Sequence, residues 1–287
     1  MSKRFLDCYV SDFKKQGKQE LLESIAGSEG RVMACETIGL ATPMLIDVTN
    51  AEFACAMGAD IILLNIFDVE NPVINGLPDV PAMEKIKELK RLTGRPVGLN
   101  LEPVGKSEIL NPNDKNPWAL SQGRKATLAN AKKACEMGVD FILLTGNPGN
   151  GVDNQAISET LRLYHKVLGD QVILAAGKMH ASGILRESGE QIITKQDIEE
   201  FISSGADMIL LPAPGTVGGI TMEYARSLIA HAHQLGALTI TSIGTSQERA
   251  DVDTIKRIAL MCKMAGTDVH HIGDSGYVGM ALPENIM

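Results

Sequence analysis

Short apolar runs recur along the chain, separated by longer stretches with the mixed pattern of amphipathic helices. Four segments are alike, because each consists of a helix end, a glycine and then a short apolar strand. They are the segments 54–65, 134–145, 202–212 and 262–273. Glycine can end a helix in a left-handed conformation without a Cβ penalty. The distance along the chain from one segment to the next is long enough for two strand–helix units. Four further apolar strands supply the additional units, at 31–36, 95–102, 171–178 and 237–244.

Continuous apolar strands that alternate with helices are typical of a parallel sheet covered on both faces. Thr49, Thr194 and Thr221 precede three helical stretches, where a hydroxyl can accept hydrogen bonds from free backbone N–H groups. Eight such units predict an α/β fold, a (β/α)8 TIM barrel. An open, doubly wound sheet is the rival. The fourfold repeat favours closure, because an open sheet has edge strands that would differ from the others.

We expect a single barrel domain over residues 1–287, with an N-terminal helical extension at 1–30 and the barrel itself at 31–287. Residues 10–27 predict an extra helix, which could plug the bottom of the barrel. The segment 273–287 is too short for a loop and a full covering helix, so we expect a short or missing eighth helix. A neighbouring subunit could cover the resulting gap, so a homo-oligomer is an open expectation.

Composition narrows the class of protein. The chain has 27 basic against 35 acidic residues and a net charge of −8, which argues against nucleic-acid binding. No apolar run reaches the roughly 18 residues of a membrane span, and the N-terminus lacks the apolar stretch of a secretory signal. The five cysteines are scattered without a C-x-x-C pair, as in reduced cytosolic proteins. We therefore expect a cytoplasmic protein with no membrane or nucleic-acid partner.

A TIM barrel carries its active site at the C-terminal ends of the strands, where this sequence is dense in polar residues. The side chains expected at this mouth are Glu36, Asn65, Asn100, Glu102, Thr145, Asn147, Lys178, His180 and His271. Four aspartates, by contrast, begin the even-numbered strands at the other end, and their repetition indicates a structural role in tying turns to strand starts. They are Asp60, Asp140, Asp207 and Asp268.

Lys178 is the strongest single catalytic candidate, because it follows Ala-Ala-Gly at a strand end with little steric crowding. An ammonium group partly removed from water there can become an amine nucleophile or a proton shuttle. It could equally be a counter-ion for Glu36 or Glu102, or a phosphate clamp. Glu36, Glu102 and His180 are the predicted acid–base residues.

Three carboxylates could hold a divalent cation such as Mg²⁺, namely Glu36, Asp68 and Glu102, since hard cations choose oxygen ligands. Asn65 and Asn100 could add neutral oxygens. The alternative is that one carboxylate pairs with a lysine while the others face water. The need for a cofactor stays open at this stage.

His270 and His271 are neighbours in the eighth strand and must point to opposite faces. Alignment of the repeats predicts that His271 faces the barrel interior and His270 the helices. His271 is thus a substrate-binding candidate, or else a hydrogen-bonded interior histidine.

Two glycine-rich turns follow strands seven and eight, where TIM barrels often bind phosphate through backbone N–H groups. The predicted anion-binding residues are Gly244, Thr245, Ser246, Gly273, Ser275 and Gly276. Asp274 counts against this role, because a carboxylate repels phosphate unless a cation intervenes.

The chain resembles a known family over nearly its whole length. The resemblance rests on several long motifs: GRPVGLNLEP, LLTGNPGNGV, AAGKMHASG, LLPAPGTVGGIT and HIGDSGYVGMALPENI. This family consists of uncharacterised bacterial TIM-barrel proteins, whose members often carry haloacid-dehalogenase-like or phosphoenolpyruvate phosphonomutase-like labels. The resemblance implies the barrel and brings no established substrate. The segment DVDTI (251–255) follows a polar stretch at a predicted helix start, so it does not support the hydrolase label. GKMH is only loosely similar to the phosphonomutase Lys-Lys-Cys-Gly-His motif.

The sequence therefore favours an enzyme that acts on a small phosphorylated or carboxylated, sugar-phosphate-like metabolite, through carbon–carbon lysis or isomerisation. Lys178 would form a Schiff base or stabilise an enolate. A metal-dependent hydrolase and a non-catalytic metabolite-binding barrel are the alternatives.

Overall fold

Eight parallel strands close into a barrel in the computed structural model, which describes residues 2–105, 120–181, 185, 188–244 and 247–287, without the side chains of Asn150 and Tyr277. Each strand pairs with the next, and the last pairs with the first through Val32 opposite Val269 and Ala34 opposite His271. The predicted closure is confirmed. The strands are β1 (Val32–Ile38), β2 (Ile61–Asn65), β3 (Val97–Leu101), β4 (Phe141–Leu144), β5 (Ile173–Gly177), β6 (Met208–Pro212), β7 (Leu238–Ile243) and β8 (Val269–Ile272).

Helices surround the barrel, and the threonines predicted as caps do cap them. The Oγ1 atoms of Thr49, Thr194 and Thr221 accept hydrogen bonds from backbone N–H groups in the first turns of α3, α7 and α8. None of the described helices is long and apolar enough to cross a bilayer. The α-helices are α1 (Val10–Phe13), α2 (Lys18–Ala26), α3 (Asn50–Ala56), α4 (Lys85–Thr93), α5 (Leu128–Met137), α6 (Asn154–Leu168), α7 (Lys195–Ser203), α8 (Met222–Gln234), α9 (Val252–Ala265) and α10 (Pro283–Ile286).

The four repeated aspartates tie neighbouring strands together at the N-terminal end of the barrel. In each case the carboxylate at the start of an even strand accepts a hydrogen bond from a backbone N–H group of the preceding odd strand. The donors are Met33, Val97, Leu174 and Thr239, for Asp60, Asp140, Asp207 and Asp268 respectively, at 2.7–3.0 Å. The structural role predicted for these aspartates is confirmed, and it repeats four times around the barrel.

The N-terminal extension plugs the bottom of the barrel. Phe5, Leu21 and Ile25 are buried against the side chains that fill the barrel interior, and such burial stabilises by about 1.5–3 kcal/mol per side chain. Lys18 adds an ion pair with Asp207 at 2.7 Å. The extension is two helices rather than the one predicted over 10–27. Gly17 begins the second of them, with its N–H donating to the Glu20 carboxylate at 3.0 Å.

The last helix is short, as predicted. Its four residues contain Ile286, which packs into the apolar layer between the strands and the surrounding helices. The glycine turns of the repeat also behave as expected, since Gly58, Gly138, Gly205 and Gly266 all have positive φ, from +99° to +119°.

Candidate active site at the barrel mouth

Strand alternation determines which side chains reach the C-terminal mouth. Residues two apart share a face of a strand, and Ala34, Leu63, Leu143, Ile240 and Val269 lie in the barrel interior. Two residues further along the chain in each case, toward the C-terminal mouth, the same faces carry Glu36, Asn65, Thr145, Ser242 and His271. On β3 the odd residues pack outward, so Asn100 points inward.

The described residues line two clefts at the mouth, and both clefts include His180. The smaller has a volume of about 230 Å³ and is lined by several predicted residues, together with an unpredicted arginine, Arg124. Those predicted residues are Glu36, Asn65, Asn100, Glu102, Thr145 and Asn147. The larger, of about 980 Å³, is lined by Gly244, Ser275 and Gly276 and also by Glu248, Arg249 and Asp274.

A pair of carboxyl groups, Glu36 and Asp274, lies at the centre of the mouth. Burial raises the pKa of each to about 7, and the charge of Glu36 adds to the rise at Asp274. Asn65 Nδ2 donates to Asp274 Oδ2 at 2.8 Å, and the Gly276 N–H donates to Asp274 Oδ1 at 2.7 Å. Two carboxyl groups this close cannot readily both ionise, so they titrate as a unit and hold one proton between them near neutral pH.

His271 lies beside this pair and faces the interior, as predicted. Its Nδ1 is 2.7 Å from Ser242 Oγ, and its Nε2 is 3.2 Å from Glu36 Oε2. Burial lowers the pKa of His271 to about 4, so the imidazole is neutral near pH 7. His270 points the other way and lies 3.2 Å from the Gly30 carbonyl.

Met179, rather than Lys178, faces the mouth after β5. Ile173 and Ala175 lie inside the barrel, and Met179 continues their face, with Ser242 Oγ 2.9 Å from its sulfur. Lys178 directly follows Gly177, the last residue of β5, so strand alternation carried one residue further gives it the face opposite to Met179. It is 5% exposed and is not among the described residues that line either cleft. Burial and the positive charge of Lys178 together lower the pKa of the His180 imidazole.

Glu102 forms an ion pair with Arg124 in the wall of the smaller cleft. Both side chains are buried, and the backbone reinforces the pair, since the Glu102 N–H donates to the Arg124 carbonyl at 2.9 Å. Nearby, Asn100 Nδ2 donates to Asn65 Oδ1 at 3.3 Å, which leaves Asn100 Oδ1 buried without a partner among the described residues. A polar ligand in this cleft could satisfy that oxygen.

The predicted metal set of Glu36, Asp68 and Glu102 is not assembled, and this expectation needs correction. Asp68 Oδ1 accepts the backbone N–H groups of Glu70 and Asn71 at 2.8 and 3.0 Å, while Glu102 is held by an arginine. Within the described ranges, no three His, Cys, Asp or Glu side chains are placed to hold a metal ion.

The glycine-rich turns offer fewer free amides than the sequence suggests. The Gly273 N–H donates to the Ile243 carbonyl at 2.7 Å, and the Gly276 N–H is bonded to Asp274. Ser275, with φ +56°, leaves its buried Oγ without a partner in the described part of the chain. Thr245 and Ser246 lie outside the described residues, so the phosphate role of these turns stays a prediction.

Arg124, Met179 and Arg249 line the mouth and were not singled out from the sequence as part of the site. Asp274 was noted only as a group that would repel phosphate. Closure of the barrel supplies the missing signal, because it sets the turn after β8 beside the end of β1. The strand-end carboxylate of β1 and the first acid after β8 are then expected neighbours.

The segment 251–255 is a helix start, as predicted. Asp251 caps α9 by accepting the Thr254 N–H at 3.0 Å. It therefore does not occupy the strand end that a haloacid-dehalogenase nucleophile requires.

Fold and mouth together define a TIM barrel with a buried acid pair at its C-terminal end. The chain belongs to the family described as a domain of unknown function, DUF7916, whose sequence model matches residues 6–287. None of the proteins with curated descriptions matches the chain significantly.

Solved structures with the same fold are distant in sequence. A Schiff-base-forming fructose-1,6-bisphosphate aldolase is 14% identical, with a TM-score of 0.57 over 91% of this chain and 93% of that one. The carboxyl transferase domain of Rhizobium etli pyruvate carboxylase is 12% identical, with a TM-score of 0.57 over 93% of this chain and 43% of that one. A Burkholderia cenocepacia J2315 protein with a provisional lyase/mutase assignment is 14% identical, with a TM-score of 0.51 over 89% and 82%. At these identities the likeness shows the fold alone.

Proposed function

We propose that the protein is an acid–base enzyme of the lyase or isomerase type, acting on a small hydroxy-carbonyl metabolite that carries an anionic group. The observation that carries this proposal is the Glu36–Asp274 pair, whose carboxyl pKa values are raised to about 7. A general acid or base works best when its pKa lies near the working pH. A carboxyl pair with one proton can give a proton to one atom of a substrate and take one from another.

The surroundings of the pair suit a polar substrate. The smaller cleft combines amides and a hydroxyl from Asn65, Asn100 and Thr145 with the Glu102–Arg124 ion pair. Arg249 adds a second cationic side chain at the larger cleft. Guanidinium groups match carboxylates and phosphates in shape, which supports an anionic metabolite as the partner.

The fold neighbours suggest a class of reaction, at the level of analogy. One of them is an aldolase, and aldol cleavage requires proton transfer at two atoms of a hydroxy-carbonyl compound. A paired acid and base in one mouth can perform both transfers. The Schiff-base variant of this chemistry has less support here, because Met179 rather than Lys178 faces the mouth. We assign Lys178 an electrostatic role beside His180.

Proton exchange tests the proposal directly. Purified protein is incubated in D₂O with pyruvate, with dihydroxyacetone phosphate and with a panel of hydroxy-oxo acids, and ¹H NMR follows deuterium incorporation and cleavage. We expect exchange or cleavage of at least one compound by the wild type, and loss of that reaction in Glu36→Gln. Binding of panel compounds without any exchange or cleavage would instead support the non-catalytic alternative.

A further inference from the structure

The two carboxyl groups of the acid pair open into different clefts. Glu36 lines the smaller cleft and Asp274 lines the larger one, so the pair forms part of the partition between them. His180 borders both clefts, which places them side by side at the mouth. A substrate that spans the two clefts therefore presents one part to Glu36 and another to Asp274.

Two hydrogen bonds to Asp274 favour its ionised form, whereas Glu36 receives one such contribution, from Asn65. One oxygen of Asp274 accepts from Asn65 Nδ2 at 2.8 Å and the other from the Gly276 N–H at 2.7 Å. Hydrogen bonds donated to a carboxylate stabilise the charged state. If Asp274 is the anion of the pair, the shared proton resides on Glu36.

The residues on the other side of Glu36 support the same assignment. A thioether sulfur can only accept a hydrogen bond, and Ser242 Oγ lies 2.9 Å from Met179 Sδ. With its single proton directed there, the serine oxygen accepts from His271 Nδ1, at 2.7 Å. The imidazole then carries its proton on Nδ1, and Nε2 presents a lone pair to the Glu36 carboxyl group.

The contact between His271 and Glu36 fits this tautomer. The two atoms are 3.2 Å apart, yet Nε2 makes no aligned N–H hydrogen bond to any described residue. A buried donor without an acceptor is costly, whereas a lone pair facing a protonated carboxyl group is satisfied. Each proton in the chain from Glu36 through His271 and Ser242 to Met179 then has an acceptor.

We propose that Glu36 is the acid, Asp274 the base and His271 a positioning residue that holds the proton on Glu36. This division of labour rests on the proposed function and narrows its substrate class. The substrate is a β-hydroxy carbonyl compound whose hydroxyl-bearing part occupies the larger cleft and whose carbonyl part occupies the smaller.

The cleavage step balances with these residues alone. Asp274 removes the proton of the hydroxyl group, the oxygen forms a carbonyl, and the carbon–carbon bond breaks. The electron pair of that bond passes to the carbonyl part as an enolate, whose carbon takes the proton of Glu36. Asp274 then holds a proton and Glu36 a charge, and transfer of that proton across the pair restores the starting state.

Other ionisable groups affect the protonation of the Glu36–Asp274 pair. Glu248, which is buried in the wall of the larger cleft, is a like charge toward Glu36, and with Asp274 it also faces His271. A further anion favours retention of one proton by the pair. It acts on the pair as a whole, so the choice between Glu36 and Asp274 depends on the hydrogen bonds described above.

Nitrogen NMR of protein labelled with ¹⁵N-histidine tests the assignment without a substrate. The His271 signal is identified by its loss in His271→Gln, and His270→Gln on the outer face of the same strand is the matched control. We expect a neutral imidazole with the proton on Nδ1 between pH 6 and 7. A proton on Nε2, or an imidazolium, would overturn the proposal.

Infrared spectroscopy provides a second readout if His271→Gln does not fold. At pH 7 we expect the carbonyl band of a protonated carboxyl group to be lost in Glu36→Gln and retained in Asp274→Asn. The reverse pattern would place the proton on Asp274 and overturn the assignment. Neither readout needs turnover, so failure of the proposed function and failure of this assignment are distinguishable.

Discussion

The side-chain amide of Asn65, at the end of β2, donates a 2.8 Å hydrogen bond to Asp274, 209 residues further along the chain. One strand of the closed ring, β1, comes between these residues, since β1 pairs with both β2 and β8. The bond therefore crosses the mouth above β1, where Glu36 lies. The position of the acid pair therefore depends on closure of the barrel.

Replacement of Glu36 by glutamine should greatly slow acid–base chemistry and leave the fold intact. Glutamine has nearly the same shape but cannot donate a carboxyl proton, and general acid–base catalysis typically contributes about 10²–10⁴-fold. We expect a loss of turnover of that order, measured on whichever compound the exchange panel identifies. Glu88→Gln, in an ion pair with Arg91 on α4, is the matched control. Retention of full turnover by the Glu36 variant would exclude the pair from the reaction.

The acid pair should make the free energy of unfolding depend on pH. Its carboxyl pKa values are raised to about 7 in the folded protein and are about 4 in an unfolded chain. The folded state therefore binds more protons between these values, and the free energy of unfolding falls as the pH rises from 4 to 7. His271, whose pKa is lowered to about 4, contributes the opposite slope below pH 6.5.

Comparison of variants by urea denaturation separates these two slopes. The stability of the wild type relative to Glu36→Gln should fall from pH 4 to pH 7, and relative to His271→Gln it should rise from pH 4 to pH 6.5. Parallel pH profiles for the wild type and Glu36→Gln would mean that Glu36 has an ordinary pKa.

Lys178 should not form an imine with substrate. Strand alternation carried past Gly177 gives it the face opposite to Met179, which packs against the barrel interior. After borohydride treatment with pyruvate or dihydroxyacetone phosphate, we expect no mass increase of the protein. Lys178→Arg, which keeps the charge and cannot form an imine, should retain turnover. A reduced adduct that disappears in Lys178→Ala would instead assign Lys178 the nucleophilic role.

Gly98 on β3 should tolerate no side chain, because its neighbour fills the space. A Cβ atom at this position would lie 2.4 Å from ring carbons of Phe141 on β4. Overpacking of this kind costs about 1–3 kcal/mol, so Gly98→Ala should lower the free energy of unfolding by that amount. The double variant with Phe141→Leu should recover part of the loss. Additive losses in the double variant would show that the ring is not the obstacle.

The fold could be predicted from the sequence because its signals are local and repeated. Apolar strands that are continuous along the chain, glycines at helix ends and aspartates at strand starts each act on neighbours within one or two units. The aspartate pattern is the clearest case, since Asp140 bonds to Val97 as Asp207 does to Leu174. The break at Gly17 was missed, because an amphipathic pattern continues across it.

The site was predictable only in part, because its chemistry depends on contacts between distant strands. Alternation within β8 places His271 inside the barrel, which is a local rule. The partnership of Glu36 with Asp274 requires the closed ring, and the outward face of Lys178 depends on how β5 continues beyond its last ladder residue. The sequence therefore predicts Lys178, Glu36, Glu102 and His180 as catalytic candidates from their positions at strand ends, and the closed ring adds Asp274 as the neighbour of Glu36.

A carboxyl titration by ¹³C NMR tests the central claim most directly. With ¹³C at the side-chain carboxyl carbons of aspartate and glutamate, two coupled signals should titrate with apparent pKa values near 7, and both should change in Glu36→Gln. The control variant Glu88→Gln should leave them unaltered. If every aspartate and glutamate signal titrates near pH 4 instead, the mouth holds no shared proton and the proposed acid–base chemistry is wrong.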